Sequence, residues 1–472
     1  MKNERHTVRR LATFLPAVLA LAAASWPAAA AELTLGEAMA MARAQSRTAV
    51  AARERAAAGG ERLREARAYR RPVLSLSETW FRTDSPAEAF AFQLNQKRFS
   101  LPEFAAGDPN DPAAIENALT RLEVSMPLYT GGELAGRIRQ AELAAEAAGE
   151  NAAWVADRAA LAAAEAYVGL ARAREQVALL ERSLETVAGH VELARAYVEQ
   201  GMLVSSELLR AEVEHARIED LLREAQGMAE VAAANLSFRL AIERRTDWRL
   251  APLGDPAPMG DDLDAWLADA EARRDLVAAR RLLEAGELEE RVQRSGLLPK
   301  TGIAVRRDWN DETLFGASAD STAVMAMARI ELFAGGRHRA AAGAARADAE
   351  AARSDVEQFR QGIRLEVEGA FVRATSARER LATARGGVTA AAEVERITRE
   401  RFASGVVKTI DLLDAVTARR EAEMRELVAR TEAHLAGLAL ALAAGREPES
   451  ALPPSGGARG PSTASPTTRM TP

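Results

Sequence analysis

From Gly132 onward, apolar residues recur at alternating steps of three and four: Ile138, Ala141, Ala145, Ala148, Ala152, Val155, Ala159, Ala162, Ala166, Gly169 and Ala173. After a 4-4 step at Ala173 the pattern continues through Val177, Leu180, Leu184, Val187, Val191, Ala194 and Val198. This is a heptad seam, and the 4-4 step marks where a coiled coil relaxes its supercoil. A second seam runs from Ala342 through Val356 and Ile363, steps by four to Val367, and resumes to Ala391. Each seam predicts a helix of about 65–68 residues, roughly 100 Å long. Each ends at a glycine, Gly201 or Gly405, and a return helix of about 35 residues follows.

Four other segments change period from 3.6 to 2. In "LTRLEVSMPLY", Leu122, Val124, Met126 and Leu128 share one face, with Arg121, Glu123 and Ser125 opposite. "PVLSLSETWF" from Pro72 and "KTGIAVRRDW" from Lys300 alternate over part of their length, and "TAVMAMARIELF" places Val324, Ala326, Ala328, Ile330 and Leu332 together. Alternation over about 9–11 residues is the pattern of a membrane strand with one lipid-facing and one lumen-facing side. Trp80, Phe81 and Trp309 lie at one end of these segments and Tyr129 and Phe333 at the other, as two interfacial girdles would require. A small amphipathic sheet capping a coiled coil is the competing reading. Four strands cannot close a barrel, and an open edge in lipid leaves backbone groups unpaired. Membrane strands would therefore demand two, three or four copies of the chain.

The helices and strands are arranged twice. "PLYTGGELAGR" resembles "ELFAGGRHRAA", and Gly131 and Gly201 recur 204 positions later as Gly335 and Gly405. Upstream, Arg53 and Pro72 recur 227 positions later as Arg280 and Pro299. The surplus in the first copy fits the Pro-, Asp-, Asn- and Phe-rich segment around Ser85–Ala118. The expected organisation is a first repeat at 31–245, with a hairpin at 72–129, a long helix at 132–200 and a return helix at 206–241. A linker at 246–262 follows. The second repeat spans 263–444, with a hairpin at 299–333, a long helix at 336–404 and a return helix at 409–444. The Pro-, Gly-, Ser- and Thr-rich tail, 445–472, reads as disordered.

Composition narrows the class. Hydrophobic residues make up 48% of the 472, yet aromatics only 5%, which favours long helices packed through small side chains. A net charge of -6 argues against a nucleic-acid binder. With no cysteine there is no disulfide, thiol nucleophile or lipidated N-terminal Cys. Residues 1–30 read as a signal peptide: Lys2, Arg5, Arg9 and Arg10, an apolar run from Leu11 to Ala23, then small-residue cleavage sites after Ala30 or Ala31. That run is too short to span a membrane, and no other apolar run is long enough. No phosphate-loop or zinc-protease motif is present and the five His are scattered, so no enzyme activity, cofactor or metal site is expected.

Signal peptide, doubled hairpin-and-long-helix pattern and doubled Gly tip together resemble the TolC family of outer-membrane efflux channels, over essentially the whole mature chain. "PLYTGGE", "LFAGGR" and "FASGVVKTIDLLDA" carry the resemblance most specifically. It implies a mainly α protein with membrane β structure. Three protomers would form a twelve-stranded barrel, four strands each, continued by a periplasmic α-helical barrel with an equatorial belt from the linker and chain ends. It implies a passive duct in a Gram-negative outer membrane, joined to a periplasmic adaptor and an inner-membrane pump or secretion transporter. An exported periplasmic coiled-coil scaffolding or binding protein is the alternative.

By the same resemblance, adaptor hairpins dock at the helix-helix turns, here Gly201, Met202, Leu203, Gly405, Val406 and Val407. A Gly at such a turn also suits a helix end with no partner at all. Acidic residues six and nine after the second tip Gly line the family's entrance, here Asp411 and Asp414. Three copies on an axis would form rings of like charge that favour cations. Acids early in a helix also favour its dipole. The matching positions in the first copy are Glu207 and Arg210, so one acid remains. Where the family's closed state is held partly by a tip Tyr and Arg, this chain has Phe402 and Val407, with Lys408 adjacent, and these can form neither a hydroxyl hydrogen bond nor that ion pair.

Overall fold

The computed structural model describes residues 32–244, 247–404 and 406–452. The expected signal peptide, Gly405 and the tail beyond residue 452 lie outside the described residues. Each half of the chain builds two helices, two strands, a long helix and a return helix, and the first half adds two short helices between its strands. The first half has α1 (Leu35–Gln45), α2 (Arg47–Ala68), β1 (Val73–Thr83), α3 (Pro86–Asn95), α4 (Leu101–Ala106), β2 (Ile115–Thr130), α5 (Glu133–Glu199) and α6 (Ser205–Arg239). The second has α7 (Leu263–Ala270), α8 (Arg274–Arg294), β3 (Lys300–Asp311), β4 (Ala319–Arg329), α9 (Arg337–Ala403) and α10 (Thr409–Ala443).

The long helices α5 and α9 are each 67 residues and the return helices α6 and α10 each 35. At 1.5 Å per residue the long helices extend about 100 Å. Their cores are mostly Ala, Val and Leu, so the helices approach closely. Gly59 of α2, for example, lies against Ala145 and Ala148 of α5. Along the near half, α5 packs against α2 and α8, and α8 in turn packs against α9. Along the far half, α5 packs against α6 and α10, and α9 packs against α10. No helix among the described residues is long and apolar enough to cross a membrane.

The strands form one antiparallel sheet in the order β1-β2-β3-β4, so the two halves join through β2 and β3. Register turns the alternation into rows. Leu74, Val124, Val305 and Val324 pair across the sheet, and all four are exposed. The row Ser77, Arg121, Asp308 and Ser321 lies on the opposite face. Trp80 and Trp309 have the parity of the apolar row, toward the far end of their strands. β1 and β4 are the sheet's two edges.

Glycine makes the abrupt passage from strand to long helix possible. Gly131 and Gly132 follow β2 with φ +66° and +88°, where side chains are strained. A Cβ on Gly131 would also lie 2.7 Å from the Ser295 carbonyl oxygen.

Three features differ from the sequence reading. The surplus between β1 and β2 carries helices α3 and α4, whose Phe90, Phe99 and Phe104 rings pack with centroids 5.3–5.5 Å apart. Those rings give a polar segment a partly exposed aromatic cluster of its own. Strand β4 ends at Arg329, so Ile330 and Leu332 lie beyond the ladder. The segment expected to be disordered from 445 begins ordered: Pro448–Ala451 form a 3-10 turn, and Glu449 pairs with Arg43 at 2.7 Å. Burial of Leu452 against the core around α1 supplies the energy that composition concealed.

That core sits at mid-length. Leu35, Met39, Tyr167, Leu236, Trp248 and Leu253 pack together, and the segment around Leu33 and the linker around Leu250 lie side by side across α5. Leu33 N–H donates to the Arg249 carbonyl at 2.8 Å, and Ala251 N–H to the Leu33 carbonyl at 2.9 Å. The Tyr167 hydroxyl is 2.8 Å from both the Leu33 and Ala251 carbonyl oxygens, and burial pushes its pKa up to about 12.

Candidate functional site

Each end of the helical shaft is built by local rules. At the far tip, α5 closes with a Schellman motif. Gly201, at φ +74°, donates to Val198 O at 3.0 Å, and Met202 N–H reaches back to Tyr197 O at 2.8 Å. In the second copy Val406 N–H makes the corresponding bond to Arg401 O at 3.0 Å. These turns leave Met202 and Val406 projecting, 61% and 72% exposed. Leu203 and Val407 are half-buried.

The acids differ in their surroundings. Asp411 is exposed, and its Oδ2 accepts the Lys408 backbone N–H at 3.0 Å, an N-terminal cap of α10. Asp414, one turn on, is exposed and forms no ion pair among the described residues. Glu207 is half-buried, pairs with Arg210 at 3.4 Å, and its Oε2 is buried with no hydrogen-bond partner. The structure thus brings the sequence-read tip residues to one end of the molecule, with Gly405 outside the described residues. The helix-end reading explains Asp411 and leaves Asp414 unexplained.

Apolar packing and a buried ion pair hold the two hairpins together near the tip. Phe402 is buried, its ring 6.4 Å from that of Tyr197, in a cluster with Val187, Ile218, Leu412 and Val416. Val407 joins the same cluster. Further along, Arg420 of α10 pairs with Glu214 of α6 at 3.1 Å, both side chains largely buried. Sequence reasoning missed this pair because no periodicity links residues on different helices.

At the other end, the polar face of the sheet is charged. Arg121 grips Asp308 with two bonds of 2.8 and 2.9 Å, and Arg306 approaches the same carboxylate at 3.6 Å. Alternation in β2 already placed Arg121 opposite the apolar face. Its partner was hidden because "RRDW" interrupts the alternation of β3. Among the described residues no cluster of side chains is suited to hold a metal ion.

An amphipathic four-stranded sheet set on a shaft of 67-residue helices is a fold this chain shares with solved bacterial outer-membrane channels. Residues 268–446 match the family model described as outer membrane efflux protein. The whole fold is similar to that of a membrane protein from Pseudomonas aeruginosa (TM-score 0.74, 19% identity, 87% of this chain and 93% of that one). It is also similar to the outer membrane protein VceC from Vibrio cholerae (0.70, 18%, 87% and 96%). The open state of the Neisseria gonorrhoeae outer membrane channel MtrE is a further relative in fold (0.68, 18%, 88% and 90%). No match was found among curated proteins.

Proposed function

We propose that this chain is the outer-membrane channel of a tripartite efflux or type I secretion system, a passive duct without catalytic activity. The observation that carries this reading is the sheet. One face is a row of exposed aliphatic side chains, the other carries Arg121, Glu123, Arg306 and Asp308, and neither edge strand has an outer partner among the described residues. Lipid tolerates such a sheet only if copies close it into a barrel. Three copies, the number the resemblance implies, give twelve strands with the aliphatic rows outward and the charged rows around a lumen. The helices then continue the barrel across the periplasm. Met202 and Val406, with half-buried Leu203 and Val407 beside them, Gly201 setting the first turn and Gly405 at the matching position of the second, offer an apolar tip to a periplasmic adaptor that links the duct to an inner-membrane pump. Asp411 and Asp414 form acidic rings at the narrow end, with Glu207 behind them.

Fractionation and detergent extraction test the architecture. The expected result is an outer-membrane trimer that conducts ions in planar bilayers. A soluble periplasmic monomer would overturn it and favour a coiled-coil scaffolding protein. For the entrance, Asp411→Ala with Asp414→Ala is expected to lower cation selectivity and divalent block. Unchanged selectivity would reduce both acids to helix-capping groups.

A further inference from the structure

A groove of about 980 Å³ lies just below the sheet, where α5, α8 and α9 meet. Its floor is small and apolar, with Gly136, Leu288 and Val292 among the lining residues. Its rim carries Arg139, Arg291, Arg294, Arg339 and Arg346. Three of these are paired: Arg139 with Glu142 and Glu284, and Arg294 and Arg346 with the single carboxylate of Glu290. Arg291 and Arg339 are exposed and form no ion pair among the described residues. Beside the groove stand Leu297 and Leu298, 44% and 45% exposed, and Leu128 and Tyr129 at the end of β2 are also exposed.

The groove faces away from the lumen if the chain forms a duct. Arg139, Glu146, Ala153, Ala160 and Tyr167 follow one another at heptad spacing along α5 and so share a face. Ala160 and Tyr167 lie under the mid-length layer built from the segment around Leu33 and the linker. A duct must keep its interior open, so that layer, and with it the groove, lies on the outer surface. The groove then sits at the level where the apolar face of the sheet ends, which is the periplasmic surface of the membrane.

We propose that this groove binds an anionic phospholipid of the periplasmic leaflet. The headgroup phosphate meets Arg291 and Arg339, and the acyl chains lie over Leu297, Leu298 and Leu128. Guanidinium groups match phosphate in geometry as well as charge, and the adjoining aliphatic surface distinguishes a lipid from a free anion. The proposal rests on the channel reading.

Native mass spectrometry of the detergent-extracted protein tests it, with phosphatidylglycerol and phosphatidylcholine of identical acyl chains offered in turn. Phosphatidylglycerol should be retained at least roughly tenfold better, and Arg291→Ala with Arg339→Ala should remove most of that preference. The corresponding double Lys variant should keep a good part of it, and the single Arg339→Gln variant should give an intermediate loss. Equal retention of the two lipids, or an undiminished preference in the Ala variant, would overturn the proposal. So would displacement of the lipid by inorganic phosphate alone, which would mark a simple anion site. A conducting trimer with no lipid preference defeats this inference alone, whereas a chain that selects the lipid without conducting defeats the channel reading alone.

Discussion

Residues 204 apart sometimes occupy the same backbone position with different chemistry, and Ala241 and Gly445 are the sharpest case. Each ends a return helix in the left-handed region, at φ +53° and +76°. Each closes a Schellman motif, Ile242 N–H to Ser237 O at 3.1 Å and Arg446 N–H to Ala441 O at 2.9 Å. An alanine in this conformation costs about 1 kcal/mol that glycine does not. Ala241→Gly should therefore raise the midpoint of thermal unfolding, and an unchanged or lower midpoint would refute the strain. Gly445→Ala should lower it more than the reverse change gains, because its Cβ would lie 3.0 Å from Arg273 Cα. His434 makes a pH prediction. It is buried, its Nε2–H donates to the Gly254 carbonyl at 2.8 Å, and burial holds its pKa below the usual 6.5. The unfolded chain thus takes up a proton near pH 6.5, while the folded chain does so only at lower pH. Stability is complete above that window and is lost as pH falls through it. Half-buried His190 adds to the effect with the same sign. Between pH 7.5 and 5 the melting midpoint should fall, and His434→Gln should reduce the fall; an equal fall in both proteins would count against His434 as a source.

Helices in this chain announce themselves, but the contacts between them do not. Alternating steps of three and four are written along α5 and α9 because a heptad seam is a local property of one helix. The pairing of Arg420 with Glu214 belongs to two helices from different halves and leaves no trace in either. Removing one member should strand the other with little solvent. Glu214→Ala is expected to cost about 3 kcal/mol, whereas replacing both by apolar residues should cost far less. Additive losses in this double-mutant cycle would show the pair to be uncoupled. The mid-length layer was expected only through the resemblance, as an equatorial belt, and its contacts leave no pattern in the sequence. The Tyr167 hydroxyl finds its partners at Leu33 and Ala251, in segments whose composition suggests only irregular chain. Among the tip residues, Asp411 and Asp414 were legible from their spacing after the glycine. What separates them, a backbone N–H held by one and not by the other, required the coordinates.

The whole molecule gives the sheet its meaning. Within one chain, Leu74, Val124, Val305 and Val324 form an exposed aliphatic row, and among the described residues β1 and β4 each present an unpaired edge. No monomer in water gains from either feature, and both become assets when copies join edge to edge in lipid. Stability of the β-barrel is then inseparable from assembly. Val124→Arg, in the middle of the row, should cost roughly 2–4 kcal/mol in the membrane and sharply reduce the trimer recovered from it. Ser77→Arg, on the opposite face, should leave trimer yield intact; equal losses from both would argue against one lipid-facing side.

The equality of the two helix pairs, 67 and 35 residues in each half, has a consequence for symmetry. In a ring of three chains the shaft would consist of six nearly equivalent hairpins, approaching a sixfold axis. Both ends would depart from it. At one mouth only the first hairpin of each chain carries the phenylalanine-rich helices α3 and α4, and at the other only the second carries two aspartates. A partner gripping the shaft would meet six similar grooves, while anything passing through either end would meet three.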